Sequence, residues 1–342
     1  MNIVFIFKSQ ITYSQFKVKI RAIFELGHCG NRFINIIDCS WNWIKKIRLK
    51  TDMFTSVKKI IEIFKVRISL TITLCAVSGV FIMPYSNSFT LNQFLILIFC
   101  TFLSSASSSA FNQFYEKDLD KLMPRTSQRP FATGFFKTKI SWLIGFSALL
   151  IFSLLLAAYY LNIASAIYLL LGALFYGYIY TVVLKRSSIY NIVIGGLAGS
   201  FAVLAGSAAV DPMLSVPAII LSLILFLWTP PHFWSLAIAI EEDYAKAKIP
   251  MLPNLIGAKS SSYVILSQTV LLIMISFVPL LFNMGIIYLF LVFLGGLYFL
   301  WRSIALVLET TKKNAMSNFF ASFIQLGLLL FACIIEGLLN YI

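Results

Sequence analysis

Beyond about residue 60 the chain alternates between long apolar runs and short polar connections. A membrane-spanning helix needs roughly 20 mainly apolar residues. Nine runs fit, at 67–84, 89–111, 140–160, 163–184, 191–210, 216–240, 262–282, 284–301 and 317–340. Several carry glycine or small hydroxyl residues, as from Ser104 to Ser109 and from Gly195 to Gly206. Such residues let helices approach closely inside a bundle. The pattern predicts an all-α membrane protein, a bundle of nine transmembrane helices.

The charges orient that bundle. All 18 Lys and Arg after residue 52 lie before the first run or on alternate connections. Lys58, Lys59, Lys65 and Arg67 precede or open the first run. Lys117, Lys121, Arg125, Arg129, Lys137 and Lys139 lie between the second and third. Lys185 and Arg186 lie between the fourth and fifth, and Lys246, Lys248 and Lys259 between the sixth and seventh. Arg302, Lys312 and Lys313 lie between the eighth and ninth. The connections near Ser86, Asn162, Asp211 and Asn283 hold none. Basic loops stay on the cytoplasmic side, which predicts a cytoplasmic N-terminus and an external C-terminus. The expected location is the cell inner membrane as a multi-pass protein, with the mitochondrial inner membrane as the alternative.

Composition narrows the class. The chain is 60% hydrophobic and 12% charged, against about 45–50% and about 25% for an ordinary globular chain. That excludes a soluble enzyme and a disordered chain. The net charge of +14 then belongs to loops facing the lipid bilayer, and no nucleic-acid partner is expected. Cys29, Cys39, Cys75, Cys100 and Cys333 form no CxxC or Cys/His cluster and read as small hydrophobes.

Residues 1–52 stand apart from the polytopic domain at 53–342. They hold nine Lys and Arg against three acids, without a small-residue cleavage site after an apolar core. Three readings stay open: a poorly structured or non-native extension with Met53 as the true start, an interfacial amphipathic arm, or a presequence.

Acids in a membrane protein are costly and usually functional. Most of those after residue 53 form two clusters, both on the expected cytoplasmic side. In the first, Asn112, Glu116 and Asp120 are spaced i, i+4, i+8. On a helix continuing the second run they share one face, and Pro124 should end that helix. Three oxygen-bearing side chains on one face suit Mg²⁺, which takes one or two carboxylates, waters and substrate phosphates. Asp118 points elsewhere and is the weaker candidate; a charged helix end with ion pairs is the plainer explanation of the cluster. The second cluster is Glu241, Glu242, Asp243 and Tyr244, with Asp243 a further metal candidate and loop solubility the plainer reading. Arg125, Arg129, Lys185 and Arg186 can take phosphate oxygens. Two acidic clusters with bases beside them can hold a diphosphate between metal ions.

Other residues have two readings each. His232 follows Pro230 and Pro231 in the sixth run; it is either a satisfied core histidine or a substrate contact. Asn191 contacts substrate or caps its helix. Tyr176 and Tyr180 line a cavity or join the interfacial aromatic belt. Glu336, in the ninth run, should snorkel to the external surface.

The stretch from Asn112 to Pro130 resembles the first metal-binding motif of the UbiA superfamily of intramembrane prenyltransferases. NQFYEKDLDKLMPRTSQRP at 112–130, YTVVLKRSSIYNIVIGGLAGS at 180–200 and LWTPPHFWSLAIAIEEDYAKAKIPMLP at 227–253 resemble its protohaem IX farnesyltransferase (haem O synthase) branch, over roughly residues 57–340. Two departures stand out. Glu116 replaces the usual Asp, and Ala239 occupies the first acid position of a DxxxD motif ending at Asp243.

The resemblance implies a nine-helix bundle. It implies an Mg²⁺-dependent transfer of farnesyl from farnesyl diphosphate to the vinyl group of protohaem IX, giving haem O and diphosphate. It implies haem contact for His232, through iron or a propionate, and for Asn191. By family alone, haem A synthase or a terminal oxidase are partners. The alternatives are a UbiA-type enzyme acting on an aromatic or quinone precursor, and a haem-binding transporter without catalysis.

Overall fold

The computed structural model describes residues 55–83, 89–213, 215–282 and 284–340. Cys29, Cys39 and the whole 1–52 segment lie outside the described residues. The described residues are helical and loop throughout, without a strand. All three described cysteines are free and buried.

Among the described residues, apolar helices lie at each of the nine expected runs. They are α1 Val66–Phe81, α2 Leu91–Tyr115, α3 Ile140–Tyr160, α4 Ile163–Leu184, α5 Asn191–Val210, α6 Val216–Ala239, α7 Ala258–Phe282, α8 Ile286–Leu308 and α9 Lys312–Asn340. Eight are long and apolar enough to cross a membrane. The exception is α1, with 16 residues. At 1.5 Å per residue it is about 24 Å long, short of a hydrocarbon core about 30 Å thick. Lys65, in the left-handed region at φ 44°, separates it from the helical turns before it.

Local chemistry sets three of the helix starts. Thr90 and Gln93 form a reciprocal capping box on α2, Asn162 caps the Ser165 amide of α4, and Ser215 caps the Ala218 amide of α6. Each cap satisfies amides that the first turn leaves unpaired. Three helices depart from regularity. The second half of α4, Phe175–Leu184, is a π-helix. Gly195 and Gly196 interrupt α5. Pro230 and Pro231 sit inside α6, where they free backbone groups, as proline does in spanning helices. Ser235 Oγ donates to the Pro231 carbonyl one turn earlier at 2.6 Å.

Small residues join the helices, as the sequence pattern suggested. Ser107 donates to the Phe146 carbonyl at 2.7 Å, linking α2 to α3. Ser165 donates to the Ala205 carbonyl at 2.8 Å, linking α4 to α5. Ser78 reaches the Leu330 carbonyl at 3.3 Å, linking α1 to α9. Such bonds spare a hydroxyl an unsatisfied place in hydrocarbon. Ile151, Leu155, Phe290 and Leu297 are exposed and face outward, as lipid contact requires.

Glu336 corrects an expectation. It does not snorkel: it is buried, and its Oε1 accepts the Ile287 and Tyr288 amides at 2.8 and 3.0 Å. The carboxylate caps the N-terminus of α8, where a negative charge meets unpaired amides and the helix dipole. Glu336→Ala should therefore cost about 1–3 kcal/mol, the penalty for buried donors left unmade. Thermal unfolding of the detergent-solubilised protein would read it as a lowered Tm.

Candidate functional site

Two chambers adjoin each other inside the bundle. The first, of about 170 Å³, is charged, and Asn112, Glu116, Asp120, Arg125, Arg129 and Lys185 all line it. The second, of about 330 Å³, is mainly apolar. Ile68, Arg125, Tyr176, Gly195, Thr229 and Phe233 line both.

The acids reach the charged chamber from the end of α2. That helix breaks at Glu116 (φ −87°, ψ 10°), and a separate short helix, Lys117–Leu122, follows. The i to i−4 bonding carries through the break: Glu116 N–H bonds the Asn112 carbonyl at 2.9 Å and Asp120 N–H the Glu116 carbonyl at 2.8 Å. The three side chains therefore keep the shared face that their spacing predicts.

Each carboxylate meets a cation. Arg129 Nη1 donates to both Asp120 oxygens at 2.8 and 3.0 Å. Lys185 donates to Glu116 Oε2 at 2.5 Å. The side chains of Glu116 and Asp120 are 1% and 4% exposed, so these pairs are shielded from solvent. Glu116 Oε1 is buried without a hydrogen-bond partner. An ionised oxygen left alone in protein is costly, and an incoming cation would satisfy it. Asn112 Oδ1 accepts from Lys65 at 2.6 Å, and its Nδ2 donates to Thr181 at 2.9 Å.

Lys65 is a site residue that sequence reasoning missed. Its basic head looked like one more charge on the cytoplasmic flank. The left-handed turn before α1 aims it into the chamber instead, where it also reaches the Tyr176 hydroxyl at 3.2 Å. Burial of the ammonium, with the nearby Arg129 charge adding to it, pushes its pKa down to about 7. Thr126 is a further lining residue without a sequence signal, and Tyr244 of the second cluster lines the chamber too. Tyr176 and Tyr180, for which two roles stood open, both line this chamber and stack on each other at 5.8 Å. Gly195 makes room for Tyr180: a Cβ there would lie 2.8 Å from its ring.

Three expected residues are not brought to either chamber. Arg186 forms a bidentate pair with Asp118, both bonds 2.8 Å long, and both side chains are exposed. The Arg186 guanidinium holds the Asp118 carboxyl below its usual range. Asp243 lies on the short helix Glu241–Lys246. The neighbouring Tyr244 is the residue that turns into the chamber, which leaves Asp243 at another angle. Asn191 donates to the Ser188 and Pro250 carbonyls at 2.6 and 3.0 Å, fastening the 247–250 loop to the start of α5. Among the described residues no three acidic, histidine or cysteine side chains converge on one point. A metal here would rely on two carboxylates, the Asn112 amide and other oxygens, a donor set that suits Mg²⁺.

His232 lines the apolar chamber. Its ring stacks against Trp228 and Phe319, with centroids 4.2 and 4.5 Å away. Nδ1 lies 2.7 Å from Ser322 Oγ.

Comparison with known proteins shows the family. The model of the UbiA prenyltransferase family matches residues 71–326. The chain belongs to the UbiA prenyltransferase family. Protoheme IX farnesyltransferase 2 of Paramagnetospirillum magneticum is 46% identical over 287 residues, 84% of this chain and 99% of that protein. Protoheme IX farnesyltransferase of Neorickettsia sennetsu is 37% identical over 294 residues, 85% and 96% of the two chains. Among solved structures, a digeranylgeranylglyceryl phosphate synthase superposes with a TM-score of 0.68 at 24% identity, covering 82% of this chain and 98% of that one. A UbiA homolog from Archaeoglobus fulgidus bound to GPP and Mg²⁺ gives 0.58 at 17% identity, covering 81% and 99%. These two structures share the fold.

Proposed function

We propose that the protein transfers the farnesyl group of farnesyl diphosphate to a vinyl group of protohaem IX, releasing diphosphate and giving haem O. The observation that carries this is the continuity of a charged chamber with an apolar one holding His232, in a chain 46% identical to a protoheme IX farnesyltransferase across 99% of that protein's length. An aromatic-acid or quinone-precursor enzyme would share the charged chamber, but the full-length relatives favour haem.

The charged chamber suits the diphosphate. Arg125, Arg129, Lys185 and Lys65 offer donors to its oxygens, with Arg129 presenting a planar fork and the lysines point charges. Asn112, Glu116 and Asp120 would hold Mg²⁺, whose chemistry there is to neutralise the leaving diphosphate as the allylic C–O bond breaks. Arg186 and Asp243 take no part in this reading. The apolar chamber takes the farnesyl chain, and its walls of Ile68, Ile72, Leu169 and Leu225 keep bulk water from the allylic cation. The vinyl carbon of the porphyrin forms the new C–C bond. Water then adds to the cation left on the porphyrin side chain and loses a proton, leaving a hydroxyl. The site therefore excludes bulk water while admitting one molecule late.

The chamber mouth faces the cytoplasm in this reading, which the alternate placement of basic connections supports. It places the protein in the inner membrane of a bacterium or a mitochondrion.

Reconstitution in lipid vesicles with haem and labelled farnesyl diphosphate tests the proposal. Label should enter haem when Mg²⁺ is present, and chelation should reduce the rate at least tenfold. Label entering a quinone precursor but not haem would refute it.

A further inference from the structure

Sequence leaves two ways for His232 to meet a porphyrin: through its iron or through a propionate. The hydrogen bonds around the ring separate them. Ser322 Oγ lies 2.6 Å from the Phe319 carbonyl, to which it donates its only hydrogen. The same oxygen lies 2.7 Å from His232 Nδ1. With its proton committed, the hydroxyl can only accept there, so Nδ1 carries the ring hydrogen. In the neutral imidazole Nε2 is then the bare nitrogen. A bare nitrogen cannot donate to a propionate, and an imidazolium in this apolar chamber would be costly. A metal, in contrast, needs that lone pair.

The surroundings hold the ring in place. The Trp228 indole stacks on it at 4.2 Å and donates to the Ser322 carbonyl at 2.9 Å. Ser322 thus fixes both members of the stacked pair, one through its backbone and one through its side chain. Phe319 and Phe323, on the same helix, pack against the imidazole with centroids 4.5 Å away. Ser322 itself is fully buried and does not line the chamber.

We infer that His232 ligates the iron of the porphyrin substrate through Nε2, and that Ser322 is a positioning residue that sets this tautomer and aims the ring. This rests on the haem reading above. It adds a basis for selection: the site distinguishes an iron porphyrin from the metal-free ring.

Optical titration of the purified full-length protein with ferric haem, without farnesyl diphosphate, tests it. The wild type should give the Soret band of a histidine-ligated haem. His232→Ala should lose that band, and added imidazole should restore it. Ser322→Ala should weaken haem binding on the order of 10–100-fold, the usual cost of removing a partner that orients a ligand, and Ser322→Thr should recover most of it. Metal-free protoporphyrin IX should bind all four proteins alike, which also shows that they are folded. The same Soret band and affinity in wild type and His232→Ala would overturn the iron ligation. If the wild type still prenylates haem in that case, the proposed activity stands without it. A wild type that prenylates no haem in the vesicle assay defeats the activity itself. Loss of both porphyrins in both Ser322 variants would assign the serine to packing alone and overturn its positioning role.

Discussion

Asp120→Ala should lower prenyl transfer about 100–1,000-fold, the scale seen when one preorganised group that stabilises developing charge is removed. Asp120 is buried, and its two oxygens receive the Arg129 guanidinium at 2.8 and 3.0 Å. Alanine removes one of the two carboxylates lining the charged chamber. It also frees Arg129 to swing toward the diphosphate or Glu116, so the charge pattern changes twice. Asp120→Asn separates these effects. It keeps the shape and an acceptor for Arg129 but removes the charge a metal needs. Both variants should lose activity, and the asparagine variant should stay nearer the wild type in thermal stability. Haem extraction and chromatography would measure the product, and immunoblotting of membranes the protein level. Activity within threefold of wild type at normal membrane levels would sink the metal assignment for Asp120.

The spans were legible because a 20-residue apolar run bounded by charges has few other uses. The shortness of α1 was not. The helix ends at Phe81 where hydropathy alone carried the run to 84, and nothing local in Phe64 and Lys65, neither glycine nor proline, announces the left-handed turn before it. The acid face was legible for a physical reason: i, i+4 spacing needs only that hydrogen bonding persist, and it does across the break at Glu116. Lys65 and Thr126 were illegible because their roles depend on which helices meet. A lysine flanking a span looks the same whether it faces solvent or a chamber. Arg186 shows the converse: a base beside the motif is taken up by Asp118, an acid on the other face of the same short helix. Glu336 was misjudged because its partners, the first amides of α8, lie 49 and 48 residues away.

Gly206→Ala should prevent stable folding, the largest structural effect expected of any single methyl group here. A Cβ on Gly206 of α5 would lie 1.8 Å from the Ala76 carbonyl oxygen of α1, and one on Gly79 of α1 would lie 2.2 Å from the Val203 carbonyl oxygen of α5. The two helices pack backbone to backbone at a reciprocal pair of glycines, the close approach that small residues permit in membranes. Neither obstacle is a side chain that could turn aside, so α1 and α5 would have to separate. Overpacking a tight core costs typically 1–3 kcal/mol and occasionally more. A clash with main-chain atoms should exceed that range, because relief requires moving a helix. The movement would reach the site, since Lys65 enters the charged chamber from the start of α1 and Ile192 and Gly195 enter from α5. Gly145 of α3 is the matched control: it is exposed, and a Cβ there meets nothing within 4 Å. Gly145→Ala should leave membrane level, Tm and activity near wild type, while Gly206→Ala should give little protein in the membrane and an early unfolding transition in what remains. A Gly206→Ala protein with wild-type Tm would mean that α1 and α5 do not meet at these glycines.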